Sequence, residues 1–413
     1  MAFRKKANRF WKISLLIISF VLTICVSGCS NTSIEETQDI ENASEEQNSL
    51  EKDWRDEEKI IGICQDIYKQ AAEENKLANL EVIRNIINRF GENGYPAVDS
   101  ENQINMVESE QVVLFCEMVD AKDEAEITII EVGYLEFTKY DIKTKDGNVD
   151  VVRSYYKYEN GNIRRIVTGS YKAEYWDYTE NGYLMFSGVV FSEESYVLTL
   201  SGTEEHVAFR VQPLEEIYRE WNRKYLRPIG YEQNNMFLVD WSEDDFGDLN
   251  FYDMYDIFYP KVNLEYVPYT TDNNLGIGSI YRIPKDEFEN VIMKYFKIDS
   301  KILQSKTNYC LDDSTYEYKP RGFYEVEYPE YPYSEVVGFT ENRDGTITLM
   351  ADVVFPHEGN SKVYSHEVVV RPLQDGGVQY VSNRVIPSED NDRETWHTPR
   401  LAEEEWEEMY AGE

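Results

Sequence analysis

The chain has 413 residues, of which 78 are acidic and 41 basic, for a formal charge of −37 at pH 7. Hydrophobic residues at 42% and charged residues at 29% support a buried core and exclude a collagen-like, low-complexity or multi-span membrane chain. The acidic excess excludes sequence-independent binding to nucleic-acid backbones, and five cysteines over this length exclude a disulfide scaffold.

At the amino terminus, Arg4, Lys5, Lys6, Arg9 and Lys12 precede an apolar run of roughly 14 residues, Ile13 to Val26. A helix needs ~20 residues to cross a bilayer, so the order of positive segment, short apolar segment and small residues reads as a secretory signal. The next four residues, Val26-Ser27-Gly28-Cys29, resemble the lipobox of bacterial lipoproteins. That resemblance implies cleavage before Cys29, a diacylglyceryl thioether on its sulfur, palmitate-type acylation, and retention at the cell membrane on the extracytoplasmic face. Loss of residues 1–28 removes five bases and no acid, moving the charge from −37 to −42. At about 0.8 kcal/mol per buried methylene, a diacylated cysteine anchors through its chains, while the charge repels anionic lipid. Residues 29–52 carry the anchor cysteine and then an acidic, polar stretch that reads as a disordered tether with roughly 25 Å of reach.

The body follows. Ile60, Ile61, Cys64, Ile67, Tyr68 and Ala71 keep a helical spacing, and Leu80, Ile83, Ile86, Ile87 and Phe90 continue it after a break near Glu74-Asn75. Gly91 is read as the residue that ends this helix. From Gln111 to about Pro213 the period changes to two, with Val112 to Cys116 read as strand core. Asp146-Gly147, Asn160-Gly161 and Asn181-Gly182 supply the positive φ angles of tight hairpins in an antiparallel meander. A short helix, Leu214 to Tyr225, closes this half. Tyr231 to Ile280 is weakly patterned. Pro284 then opens a helix with Phe288, Val291, Ile292, Tyr295 and Phe296 on one face. Strands return from Phe323 to Ile386, with Asp344-Gly345 as a hairpin and Ile347, Leu349, Ala351, Val353 and Phe355 alternating. An acidic helix, Pro399 to Tyr410, ends the chain.

Two domains are expected, 53–228 and 229–413, each a helix packed on an antiparallel meander, in an α+β fold. Tyr178-Thr179-Glu180-Asn181 echoes Phe339-Thr340-Glu341-Asn342, and Leu184-Met185 with Val189-Val190-Phe191 echoes Leu349-Met350 with Val353-Val354-Phe355. His206 and Arg210 are matched to His366 and Arg371. Either the halves are related or Val-rich hairpins coincide; related halves would be similar to cystatin-like or nuclear-transport-factor-like folds, an analogy that carries no function.

Catalytic motifs are missing. His206, His357, His366 and His397 form no zinc-binding pair on a helix. Ser154-Tyr155-Tyr156-Lys157 matches Ser-x-x-Lys but sits in an alternating strand, where serine and lysine point to opposite faces. Cys64, Cys116 and Cys310 read as reduced thiols. Acidic residues are too many for any pair to mark a glycosidase. Asp240, Asp244, Asp245 and Asp248, within a run that also holds Asp253 and Asp256, offer oxygen ligands that would suit calcium, although the EF-hand spacing before Gly247 fails; otherwise no cofactor is expected. Among 32 tyrosines, the densest group is Tyr316, Tyr318, Tyr324, Tyr328, Tyr331 and Tyr333. Tyrosine suits recognition of peptides or sugars, and it equally suits sheet faces.

In layout (lipobox, acidic tether, tyrosine-rich helix-and-sheet body) the chain resembles the uncharacterised lipoproteins of Gram-positive, clostridial-type anaerobes. The expectation is a lipid-anchored extracytoplasmic protein that acts by binding a peptide, glycan or envelope protein, with no nucleic-acid partner, and the reading leans against an enzyme. The alternative is a cell-envelope glycan or peptide hydrolase using dispersed carboxylates. A transporter's solute receptor ranks last, because it needs βαβ alternation.

Overall fold

The computed structural model of the protein describes residues 56–192, 202–270, 278–322, 325, 330–387 and 396–410. The signal segment, Cys29 and the tether lie outside them, as do Tyr324 and Tyr328. The chain divides into two compact units after Gly62, and the sheets lie in the second, Ile63–Glu413. Its architecture is α+β with antiparallel sheets, as the hairpin signals require.

Helices α1 (56–73) and α2 (Leu80–Glu92) flank the expected break, where Asn75 takes φ +54°. The Asn79 side chain accepts the Glu81 N–H at 2.8 Å and caps α2. Gly91 does not end the helix. It lies inside the last turn, where an added Cβ would come 2.8 Å from Val107 Cγ2; the left-handed residue is Gly94, at φ +82°.

The stretch read as strand core from Val112 to Cys116 is helix α3, Ser109–Ala121. Val112, Phe115, Cys116 and Val119 are buried at helical spacing, while Leu114 is 60% exposed. Five apolar residues in a row fit either element, and the burial of positions 112, 115, 116 and 119 decides for 3.6.

Eight strands form the first sheet: β1 (Ala97–Asp99), β2 (Ala125–Val132), β3 (Glu136–Lys145), β4 (Asn148–Glu159), β5 (Asn162–Lys172), β6 (Tyr175–Tyr178), β7 (Tyr183–Ser192) and β8 (Thr203–Arg210). Their order is β1-β2-β3-β4-β5-β7-β6, with β8 also on β7, and only β1–β2 is parallel. Asp146, Gly147, Asn160, Gly161 and Gly182 all take positive φ at the expected turns. Helix α3 packs on one face, against Ile129, Tyr140, Ile142, Val151, Phe186 and Phe209. The other face carries Phe137 and Tyr156, stacked at 4.6 Å, with Phe90 and Tyr68 from the helices reaching Phe137 and Tyr158. Each such side chain contributes about 1.5–3 kcal/mol by leaving water.

Helix α4 (Glu216–Trp221) runs into a π-helical turn, Asn222–Leu226. After β9 (Trp241–Ser242) comes α5 (Phe251–Asn263), a helix within the weakly patterned stretch. Asn250 caps it, accepting the Tyr252 and Asp253 N–H groups. Beyond it lie β10 (Tyr281–Pro284), α6 (Lys285–Tyr295), α7 (Ser300–Ser305), β11 (Tyr309–Cys310) and β12 (Thr315–Tyr318). The last sheet holds β13 (Tyr333–Glu341), β14 (Ile347–Val354), β15 (Ser365–Pro372) and β16 (Val378–Ile386) in sequence order, with β9 on its far edge. Ile347, Leu349, Ala351, Val353 and Phe355 are all buried against α5 and α6. Helix α8 (Glu403–Tyr410) ends the described chain.

The sequence echo falls on β6-β7-β8 and β13-β14-β15, which share strand order and direction. Tyr178 pairs with Leu184 as Phe339 pairs with Leu349. The histidines and arginines do not correspond, since Leu184 faces Phe209 whereas Leu349 faces Val368. That register puts His206 three residues before its reference position and His366 two.

Candidate functional site

Four segments converge on a pocket of about 270 Å³: the π-turn after α4, the end of α5, the end of α6, and the β15–β16 hairpin. Its volume lies just under the ~300–1,000 Å³ of drug-sized sites. The floor is aromatic. Phe258 of α5 stacks on Tyr295 of α6 with centroids 3.9 Å apart, and Tyr380 of β16 leans on Phe258 at 6.1 Å.

Each wall has a local cause. Asn222 donates to the Ser334 carbonyl and accepts the Ser334 hydroxyl, at 2.8 and 2.7 Å, which fixes α4 to β13 where the helix widens into its π-turn. The turn presents Lys224 and Tyr225 together, with the ammonium 4.9 Å from the Tyr225 ring. In β16 a bulge skips Val381, so Val369 faces Ser382 and Val370 faces Tyr380. Tyr380 is thereby turned inward, and its hydroxyl donates to the Tyr225 carbonyl at 2.7 Å. The hairpin loop closes through Gly376, at φ +87°, and the Gly377 N–H donates to Asp375 Oδ1 at 2.9 Å.

One feature marks this cavity as something other than a packing defect. Lys224, Lys261 and Lys294 stand at the rim. Burial lowers the Lys261 pKa from its usual value and raises that of Tyr295, since an apolar wall disfavours either charge.

The residues singled out in the sequence lie elsewhere. Tyr316 and Tyr318 are buried, donating to Glu289 at 2.7 Å and Asp256 at 2.5 Å; burial and those carboxylates hold their pKa values far above normal. They serve the core of α5, α6 and β12 and are not a recognition surface. Tyr331 and Tyr333 are half-buried, and the Tyr333 hydroxyl accepts from Asn102 at 3.2 Å.

The acidic run divides its work. Asp240 accepts the Val385 N–H at 2.7 Å, Asp245 accepts the Gly247 N–H at 3.0 Å, and Asp244 and Asp248 are exposed. Asp253 and Asp256 hold Arg400. Among the described residues no group of three or more His, Cys, Asp or Glu is arranged to hold a metal ion. His366 is buried between the Tyr231 hydroxyl at 2.7 Å and Asn383 at 2.8 Å, and burial pushes its pKa down to about 4. No disulfide joins Cys64, Cys116 and Cys310. Burial pushes the Cys116 thiol up to about 12 and Cys64 higher still, so neither is a ready nucleophile. Ser154 is buried in β4 against Thr168 at 3.2 Å.

One carboxylate pair does face inward. The Tyr140 hydroxyl lies 3.3 Å from Glu131 Oε2 and 3.4 Å from Glu205 Oε1, while Arg153 Nε reaches Glu205 at 2.5 Å. Burial first, and then the Glu205 charge, push the Glu131 pKa up to about 7.

Residues 50–400 match the family of unknown function DUF6070. The chain belongs to that family. No curated protein and no solved structure matches it. No helix among the described residues is long and apolar enough to cross a membrane.

Proposed function

We propose that this member of DUF6070 is a lipid-anchored extracytoplasmic binding protein that holds a small ligand in the pocket between α5, α6 and the β15–β16 hairpin, without turning it over. The observation that carries this reading is the pocket: an aromatic floor and a cationic rim. Concave, mostly apolar sites with a few convergent polar groups are what small-molecule recognition uses. The lipobox at Cys29 supports the anchor, and the acidic residues after it support a tether.

A thermal-shift screen of small organic acids, amides and amines, run on the protein and on Val378→Trp, tests the binding site. Val378 is half-buried at the pocket wall and begins a strand, so tryptophan suits the backbone there while filling the space. Compounds that stabilise the parent and not Val378→Trp, or the second filling variant Leu373→Trp, support the site. Compounds that stabilise all three equally place binding elsewhere.

A second reading has one observation in its favour. Glu131 and Glu205 share a tyrosine hydroxyl, and one of them is held near neutral pH, as an acid–base pair would require. Loss of envelope-glycan or peptide turnover in both Glu131→Gln and Glu205→Gln would support a hydrolase; absence of turnover in the parent refutes it.

A further inference from the structure

The chain carries 37 more acids than bases, yet the pocket rim holds three lysines and one acid. Lys224, Lys261 and Lys294 come from three separate elements, and none forms an ion pair among the described residues. Lysines elsewhere do pair, Lys139 with Asp141 at 2.7 Å and Lys362 with Asp352 at 3.1 Å. The one acid, Asp375, turns an oxygen to the Gly377 N–H. Unpaired cations gathered from distant positions around an apolar cavity leave positive potential directed at whatever enters it.

We infer that the ligand is a small organic anion, an apolar body with a carboxylate or phosphate head, and this inference rests on the binding reading above. The body lies against Phe258, Tyr295 and Tyr380, and the head meets the lysines at the mouth. Lysine suits either head as a mobile point charge, without the planar fork with which arginine selects carboxylate geometry. A volume of about 270 Å³ admits one ring with a short chain; it does not admit a two-chain lipid.

The test is calorimetric titration of the full chain, held in zwitterionic nanodiscs with empty nanodiscs as blank. The probes are 4-phenylbutyrate, 4-phenylbutyl phosphate, 4-phenylbutanamide and 4-phenylbutylamine. Both anions should bind at least tenfold more tightly than the amide, with the amine weakest, and the tighter anion identifies the head. Raising salt from about 50 to about 500 mM should weaken only the anions. Replacing the three exposed lysines together (Lys224→Gln, Lys261→Gln, Lys294→Gln) should bring the anions' affinity down to that of the amide. Equal affinity for acid, amide and amine overturns the ligand class while the site stands. Binding of none of the four overturns the site and the class together.

Discussion

Glu131 and Glu205 lie within reach of one tyrosine hydroxyl on the first sheet, and that arrangement has a measurable consequence. The folded-state pKa of Glu131 rises to about 7 from an ordinary 4.5. Between those values the folded protein binds more protons than the unfolded chain, so stability falls as pH rises. Glu131→Gln should unfold at nearly the parent's temperature at pH 4 and gain about 2 kcal/mol over it at pH 8. Thermal melts across that range check the sign. A second residue-scale prediction concerns Arg400, which holds Asp253 at 2.8 Å and also binds Asp256 and the Lys319 carbonyl. Asp253 is 2% exposed. Arg321 also reaches both Asp253 oxygens, at 3.3 Å, so Arg400→Ala removes one of two guanidinium partners of that buried carboxylate, and denaturant titration should show a loss of about 1.5–3 kcal/mol. Asp253 and Asp256 read as part of a run of calcium-type oxygen ligands because their arginine partners, Arg321 and Arg400, lie far along the chain, where local sequence carries no signal of them.

At the scale of elements, what sequence could reveal depended on how local the determinant was. The hairpins at Asp146-Gly147, Asn160-Gly161 and Gly182 are set by residues inside the turn, and α6 by its own apolar stripe, so both were legible. Helix α5 was hidden, because its buried stripe is made mainly of aromatic residues, all but one of Phe251, Met254, Tyr255, Phe258 and Tyr259, which strands favour as well. Helix α3 was misread, since five consecutive apolar residues have no period of their own. Its true period is testable. Leu114→Asp should change stability by no more than about 0.5 kcal/mol, whereas Phe115→Ala should cost about 3–5 kcal/mol. A strand would penalise Leu114 and Cys116 together. The pocket residues were illegible, because Lys224, Phe258, Lys294 and Tyr380 come from four elements and meet only after the sheet bulge and π-turn have formed.

For the whole molecule, the proposal is an acidic body with a cationic pocket, tied to a membrane by a lipid at Cys29. Cys29→Ala should move the protein from the membrane to the soluble fraction on cell fractionation, because the acidic excess of the sequence repels anionic lipid once the acyl chains are gone. Retention in the membrane pellet would remove the lipid anchor from the account. Binding and location are separable, and the site itself is the central claim. Hydrogen–deuterium exchange with and without saturating 4-phenylbutyrate tests it most directly. The account predicts slowed exchange confined to the segments around Tyr225–Ile229, Phe258–Lys261, Lys294–Tyr295 and Leu373–Tyr380. Protection at the Glu131–Glu205 sheet face instead, or no protection anywhere, would contradict it.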